Sequence, residues 1–346
     1  MKSSFFYGSR DIRIEEVSDS EPGPGQVLLE VSAVGICGSD LHSYVFGNVG
    51  GLVPDHPFTL GHEAAGTVLA VGEGVTNVKV GQRVAIDPAT PCYQCERCLA
   101  GEVHLCLQLE FMGTFPYNGA MRERMIHPAR CCVPIPDSIS DIGAAMLEPL
   151  GIAIHGNELA EVKLGEDVAV LGCGAIGLLL IRMARLSGAR HIFATDKHPW
   201  RLALAETYGA DQVIDIREVD PVERVMQVTN GRGVDVAIEA AWVEETANQC
   251  MDMTRYGGRV VIVGIPAHDD LRLGSSAMRR KELKMVFSRR MKHTYPTAIA
   301  LATAGQVDID RLATHQFTLD ETAQGFETAS TYVDGVVRAI ILPNKR

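Results

Sequence analysis

Four cysteines spaced C-x2-C-x2-C-x7-C, at Cys92, Cys95, Cys98 and Cys106, constrain this chain more than any other feature. Spacing this short lets four thiolates converge on one tetrahedral ion, and an all-sulfur set favours zinc or an iron–sulfur centre. Four thiolates leave zinc no open position for a substrate, so this lobe is expected to be structural. The chain holds nine cysteines, the others at 37, 131, 132, 173 and 250. The odd count and the tight cluster argue for metal over disulfides.

With 346 residues the chain is long enough for two domains with substantial cores. A net charge of −11 argues against nucleic acid or an anionic membrane surface as a partner. The N-terminal MKSSFFYGSRDIRIEE has an apolar run too short for a signal peptide. The most apolar stretch, Val168 to Ile181, spans 14 residues with three glycines and meets Arg182, too short for a membrane span. A soluble cytoplasmic protein is the expectation.

Residues 26 to 136 are rich in valine, glycine and proline. QVLLEVSAV, GTVLAVG and QRVAIDP read as strands between glycine turns, suggesting a barrel-like, mostly β domain. Around Ile142 to Leu159 the pattern turns helical. From Glu166 strand and helix alternate: VAVLG, HIFATD, QVIDI, VDVAIEA, RVVIVGI and LKMVFS as strands, with helical patterns at 222–229 and 244–256. Such βαβ repeats predict an α/β domain with a parallel, doubly wound sheet. A helix near 296–305 and a strand VVRAIIL (336–342) follow.

Gly172-Cys-Gly174-Ala175-Ile176-Gly177 lies between the first of these strands and a helix. The first glycine permits the turn, the second lets a pyrophosphate approach, and the third allows close packing, with phosphate at the helix N-terminus. Asp196 ends the second strand and is placed to accept from the adenosine ribose hydroxyls. It would also oppose a 2′-phosphate, since like charges 4 Å apart repel by about 4 kcal/mol at an effective dielectric of about 20. NAD is therefore favoured over NADP, although Lys197 and Arg201 could each neutralise a phosphate. Arg201 and the strand end Val263-Gly264-Ile265 complete the cofactor candidates.

Cys37, His62 and Glu63 in ICGSDLH and LGHEAAGTV, with Glu148 in LEPLG, supply S, N and O donors. That mixture suits a catalytic zinc that keeps one exchangeable position. In their sequence order, GICGSDLH, GHEAAG, the four-cysteine lobe, LEPLGIAIHG and GCGAIG resemble the zinc-dependent medium-chain alcohol dehydrogenases over essentially the full length. Glutamate at 148, with GHE, looks like the sorbitol (polyol) dehydrogenase branch.

The resemblance implies a GroES-like catalytic domain (1–150 and 289–346, with the zinc lobe at about 88–110) and a Rossmann NAD domain (151–288), separated by a cleft. It implies up to two zincs per chain, one catalytic and one structural. Cys37 and His62 become direct ligands, while Glu63 and Glu148 compete for the remaining protein coordination. Ser39 and His42 occupy positions associated with proton transfer. Tyr44, Glu148 and Arg290, or its neighbour Arg289, are candidate substrate contacts. The expected reaction is reversible oxidation of a polyol secondary alcohol, with L-threonine or a simpler secondary alcohol as the alternative substrate. A nucleotide-binding protein without turnover is the reading from outside enzymology. Homotetramers or homodimers are expected.

Overall fold

A computed structural model describes residues 1–48, 53–265 and 270–345. The chain divides into two compact units, Met1–Glu148 with Tyr295–Arg346, and Pro149–Thr294. Among the described residues no helix is long and apolar enough to cross a membrane.

In the first unit the central strand is Gln26–Gly35, where Val27, Leu29 and Val31 are fully buried and the residues between them are less so. That period-2 alternation makes one face of the sheet the core face. The strand pairs antiparallel with Glu63–Val71 and with Arg124–Pro128, and its end pairs with Arg338–Leu342. Ala313–Thr318 extends the sheet on one side, and Arg83–Ile86 with Cys132–Pro134 on the other. The core carries Leu29, Val34, Ile86, Met121 and Phe326. The late strand read at 336–342 thus becomes part of the first unit's sheet.

The second unit is a six-stranded parallel sheet, in spatial order Gln212–Asp215, His191–Asp196, Asp167–Leu171, Val234–Glu239, Thr254–Ile262 and Lys284–Phe287. In chain order this is 3-2-1-4-5-6, the doubly wound dinucleotide-binding arrangement. Both central strands, Asp167–Leu171 and Val234–Glu239, are buried at every residue. Such strands read as continuous apolar runs because helices cover both faces.

Two details depart from the sequence reading. The helix expected to reach 256 ends at Met253, where Thr254 turns extended and begins the next strand. Lys281 Nζ donates to the carbonyls of Met251, Asp252 and Thr254 and caps that end. The second boundary also falls later, at 294, rather than 288. Met291 and Thr294 pack so closely on Gly151 that a Cβ there would lie 2.5 and 2.6 Å from their side chains.

At the N-terminal edge of the parallel sheet, buried Asp167 and Asp235 meet Arg190, Arg232 and Arg255. Burial alone would raise the Asp235 pKa. Hydrogen bonds from Arg232, Arg255 and the Asp167 N–H hold it well below the usual carboxylate range. Asp235→Asn should cost about 2 kcal/mol at pH 7, less than a fully buried pair because the guanidiniums reach solvent. A depressed carboxylate contributes stability above its unfolded pKa, so the gap should narrow as pH falls below about 4. Urea unfolding of both proteins between about pH 7 and 3.5 checks this.

Candidate active site and metal centres

Cys37 ends the run that follows strand Gln26–Gly35 and is the N-cap of helix Gly38–Phe46. Asp40, 2 % exposed, sits three residues on and accepts from the Cys37 N–H through Oδ2 at 3.0 Å. Its other oxygen accepts from the Gly61 N–H and lies 3.4 Å from His62 Nδ1. One buried carboxylate therefore ties together the two segments that carry Cys37 and His62. The Asp40–His62 contact is not aligned as a hydrogen bond, so Asp40 acts on the His62 ring through its charge. The Phe111 ring packs on the imidazole at 5.3 Å.

Glu63 starts the next strand, fully buried and in register with Gly35. A Cβ at 35 would lie 2.2 Å from Glu63 Oε2, so only glycine leaves room for this carboxylate. Arg338 Nη2 is 3.2 Å from Glu63 Oε1, and Nη1 donates to the Ile36 carbonyl at 2.8 Å. The ion-pair contact is not aligned as a hydrogen bond, and neither Glu63 oxygen has a hydrogen-bond partner among the described residues. Burial would lower the Arg338 pKa, but Glu63, Cys37, Glu148 and Asp40 around it raise it. Burial would likewise lower His62, and Asp40 with Cys37 outweigh it, so its pKa is raised well above the ordinary value.

Ligand atoms of Cys37, His62 and Glu63 all lie within 4.8 Å of one another. The unsatisfied buried carboxylate and the S, N, O donor set fit a zinc ion with a position to spare. Glu148 is buried at the start of helix Leu147–Ala160, close enough for Arg338 to feel its charge, but it does not share that triad.

The four lobe sulfurs also lie within 4.8 Å of one another, with Cys92 and Cys106 Sγ 3.5 Å apart. Backbone N–H groups of Cys92, Cys95 and Gln108 point at these sulfurs. Donors from Leu107 and Cys98 lower the Cys95 thiol to about 6, while burial pushes Cys98 up to about 12. All nine cysteines are free. The lobe offers four donors and no fifth role.

Ser39 and His42 lie on the helix that Cys37 caps. His42 is buried, which lowers its pKa, and its ring contacts Phe46. The Tyr44 hydroxyl donates to Glu327 at 3.2 Å and its ring packs on Phe326, which ties it to the C-terminal helix Thr322–Thr331. Of the two arginines, Arg290 is buried and Arg289 exposed.

In the second unit Gly172 has φ +99, and a Cβ there would lie 2.7 Å from the Ala240 carbonyl. A Cβ at Gly177 would lie 1.8 Å from Gly172 O, so the helix seats tightly on the strand. Gly174 caps helix Ala175–Leu186. Asp196 accepts from the Cys173 N–H at 2.9 Å and the His198 N–H at 2.8 Å, with Arg201 Nη1 3.9 Å away. Each carboxylate oxygen keeps a second lone pair for a further donor. The N–H groups of Val263 and Gly264 donate to the Glu239 carbonyl, and Ile265 is exposed.

Asp40 and Arg338 were not singled out in the sequence. Asp40 carried a signal, an acidic residue three beyond an N-cap. Arg338 carried none, because only sheet pairing brings it to Glu63.

The alcohol dehydrogenase GroES-like domain model matches residues 23–137, and the zinc-binding dehydrogenase model matches 175–304. Sorbitol dehydrogenase of Bacillus subtilis (strain 168) is 36% identical over 345 residues, covering 100% of this chain and 98% of that one. L-idonate 5-dehydrogenase of Vitis vinifera is 32% identical, over 95% of this chain and 91% of its own. An Escherichia coli oxidoreductase/dehydrogenase of unknown specificity superposes with TM-score 0.94 at 31% identity, covering 99% of each chain. A Sinorhizobium meliloti 1021 protein described as a zinc-binding dehydrogenase and bound to NADP gives 0.91 at 32%, again over 99% of each. The chain belongs to the zinc-dependent medium-chain alcohol dehydrogenases, in their sorbitol (polyol) dehydrogenase branch.

Metal analysis of two variants separates the centres. Cys37→Ala should lose one zinc and turnover while keeping its melting temperature. Cys95→Ser should lose the other zinc and melt about 5–10 °C lower, given what structural zinc contributes to small folds.

Proposed function

We propose that this protein reversibly oxidises a secondary alcohol of a polyol to a ketone and transfers the hydride to NAD. The observation that carries this is the buried Cys37–His62–Glu63 triad in a chain similar from end to end to a sorbitol dehydrogenase. Zinc supplies Lewis acidity toward the alcohol oxygen when bound, and NAD the hydride acceptor. Cys37, His62 and Glu63 hold the metal; one thiolate and one carboxylate match its charge. Asp40 keeps the His62 ring oriented, and Arg338 steadies Glu63. Burial keeps His42 neutral at about pH 7, ready to accept the alcohol proton by way of Ser39 on the same helix.

Asp196 supports NAD over NADP through the lone pairs its two backbone donors leave open. The NADP in the Sinorhizobium relative makes a direct comparison of the two cofactors necessary. Glu148 and Arg290, both buried polar groups, are the better substrate candidates, Arg289 being exposed. A homo-oligomer is supported by the sheet edge Lys284–Phe287, which among the described residues pairs on one side only and exposes Val286 and Phe287. Unpaired edges of this kind invite a second chain, and light scattering reads the mass. Nine free cysteines suit a reducing, cytoplasmic compartment.

Steady-state NADH formation over C4–C6 polyols, L-threonine and simple secondary alcohols tests the reading. Polyols should give the highest kcat/KM, a chelator should abolish turnover, and NADP should serve poorly. Threonine as the dominant substrate would overturn the polyol assignment. His42→Ala should lower kcat about 10–100-fold, and the wild-type acid limb should lie below about pH 6.5, because a lowered histidine pKa keeps the ring neutral further into acid.

A further inference from the structure

Glu239 is the last residue of a fully buried central strand and is itself 2 % exposed. It stands at the carboxyl edge of the parallel sheet, in register with Leu171 on one side and Ile262 on the other. Ligands of doubly wound sheets bind at that edge. A buried carboxylate here needs donors, and it has them. Oε1 accepts from the Ala241 N–H at 2.7 Å and the Trp242 N–H at 2.9 Å, and Thr246 Oγ1 is 2.8 Å away. Thr246 divides its one proton between Oε1 and the Val243 carbonyl. Oε2 packs against Gly264, where a Cβ would come within 2.4 Å. Burial raises the Glu239 pKa, and donors from Thr246, Ala241, Trp242 and Gly264 oppose that rise.

The loop so gathered touches the glycine turn. The Ala240 N–H donates to the Leu171 carbonyl, and the Ala240 carbonyl and Ala241 Cα close over Gly172. Trp242 holds φ +76, a conformation that bulky residues rarely adopt. Its N–H bond to Glu239 is one contact that holds it there.

We propose that Glu239 is the positioning residue of the dinucleotide edge, fixing the loops that carry Gly172, Trp242 and Gly264 and so setting the affinity for NAD. This rests on the NAD reading above. In Glu239→Gln the amide oxygen would still accept from the three Oε1 donors, but its NH2 group would face Gly264, disordering only part of the network.

The test is NADH titration by nucleotide fluorescence, with wild type, Glu239→Gln and Thr246→Val. Glu239→Gln should weaken NADH about tenfold and raise the KM for NAD in proportion, while the polyol KM and zinc content stay within about twofold. Thr246→Val keeps the carboxylate and removes one donor, so a loss of about threefold is expected, and it decides the matter should Glu239→Gln not fold. In a Trp200→Phe background the emission of Trp242 should shift in Glu239→Gln before any nucleotide is added. Binding within about twofold of wild type in both variants overturns the proposal, as does a uniform loss of zinc, polyol and NADH binding. A wild-type protein that binds no NADH would instead remove the dinucleotide reading on which it stands.

Discussion

Arg338 is a guanidinium buried among four acidic groups, and the reactive centre depends on it. Asp40, Glu63, Glu148 and Cys37 all act on it electrostatically. Buried charges must be compensated, because desolvation costs several kcal/mol per ion and an unpaired partner is worse still. The same acidic surroundings raise the pKa of His62 as well as that of Arg338, so the site favours bound positive charge. Its sulfur and imidazole donors select zinc over magnesium or calcium.

Arg338 can only arrive through the sheet. Its strand pairs with the end of Gln26–Gly35, matching Ile341 to Val34 and Ile340 to Gly35. Gly35 in turn faces Glu63. A residue from the last tenth of the chain and two from the first fifth are thereby fixed by backbone hydrogen bonds rather than by flexible side chains. The pairing does structural and chemical work together, since the same register that buries Ile341 also aims the guanidinium.

What the sequence disclosed follows the same division. The lobe cysteines, the glycine fingerprint and the Cys37, His62 and Glu63 motifs were legible because each is local, its ligands or turns set by neighbours a few residues away. The parallel strands were legible from their apolar runs. The contact of Tyr44 with Glu327 was not legible, because Glu327 lies on a helix far along the chain and nothing near residue 44 hints at it. Arg338 went unnoticed for the same reason. The helix 244–253 was overextended because its end is capped by the distant Lys281, whose ammonium captures the carbonyls of Met251, Asp252 and Thr254. Ambiguity between Glu63 and Glu148 was inherent in the sequence, since both are acidic residues within metal-like motifs, whereas the fold brings Glu63 within 4.8 Å of the Cys37 and His62 ligand atoms.

The two metal centres show how donor number divides structure from chemistry. The cysteine lobe gathers four sulfurs from one short segment, so its metal would be saturated and its task would be to hold that segment together. The other centre draws its three donors from two segments, held by Asp40 and Arg338, and three protein ligands would leave one coordination position for an alcohol. Local spacing suffices for the first task. The second requires groups that no short segment can supply, which is why its supporting residues come from the sheet and from a helix N-terminus. Reactivity here is a consequence of incomplete coordination maintained by long-range packing.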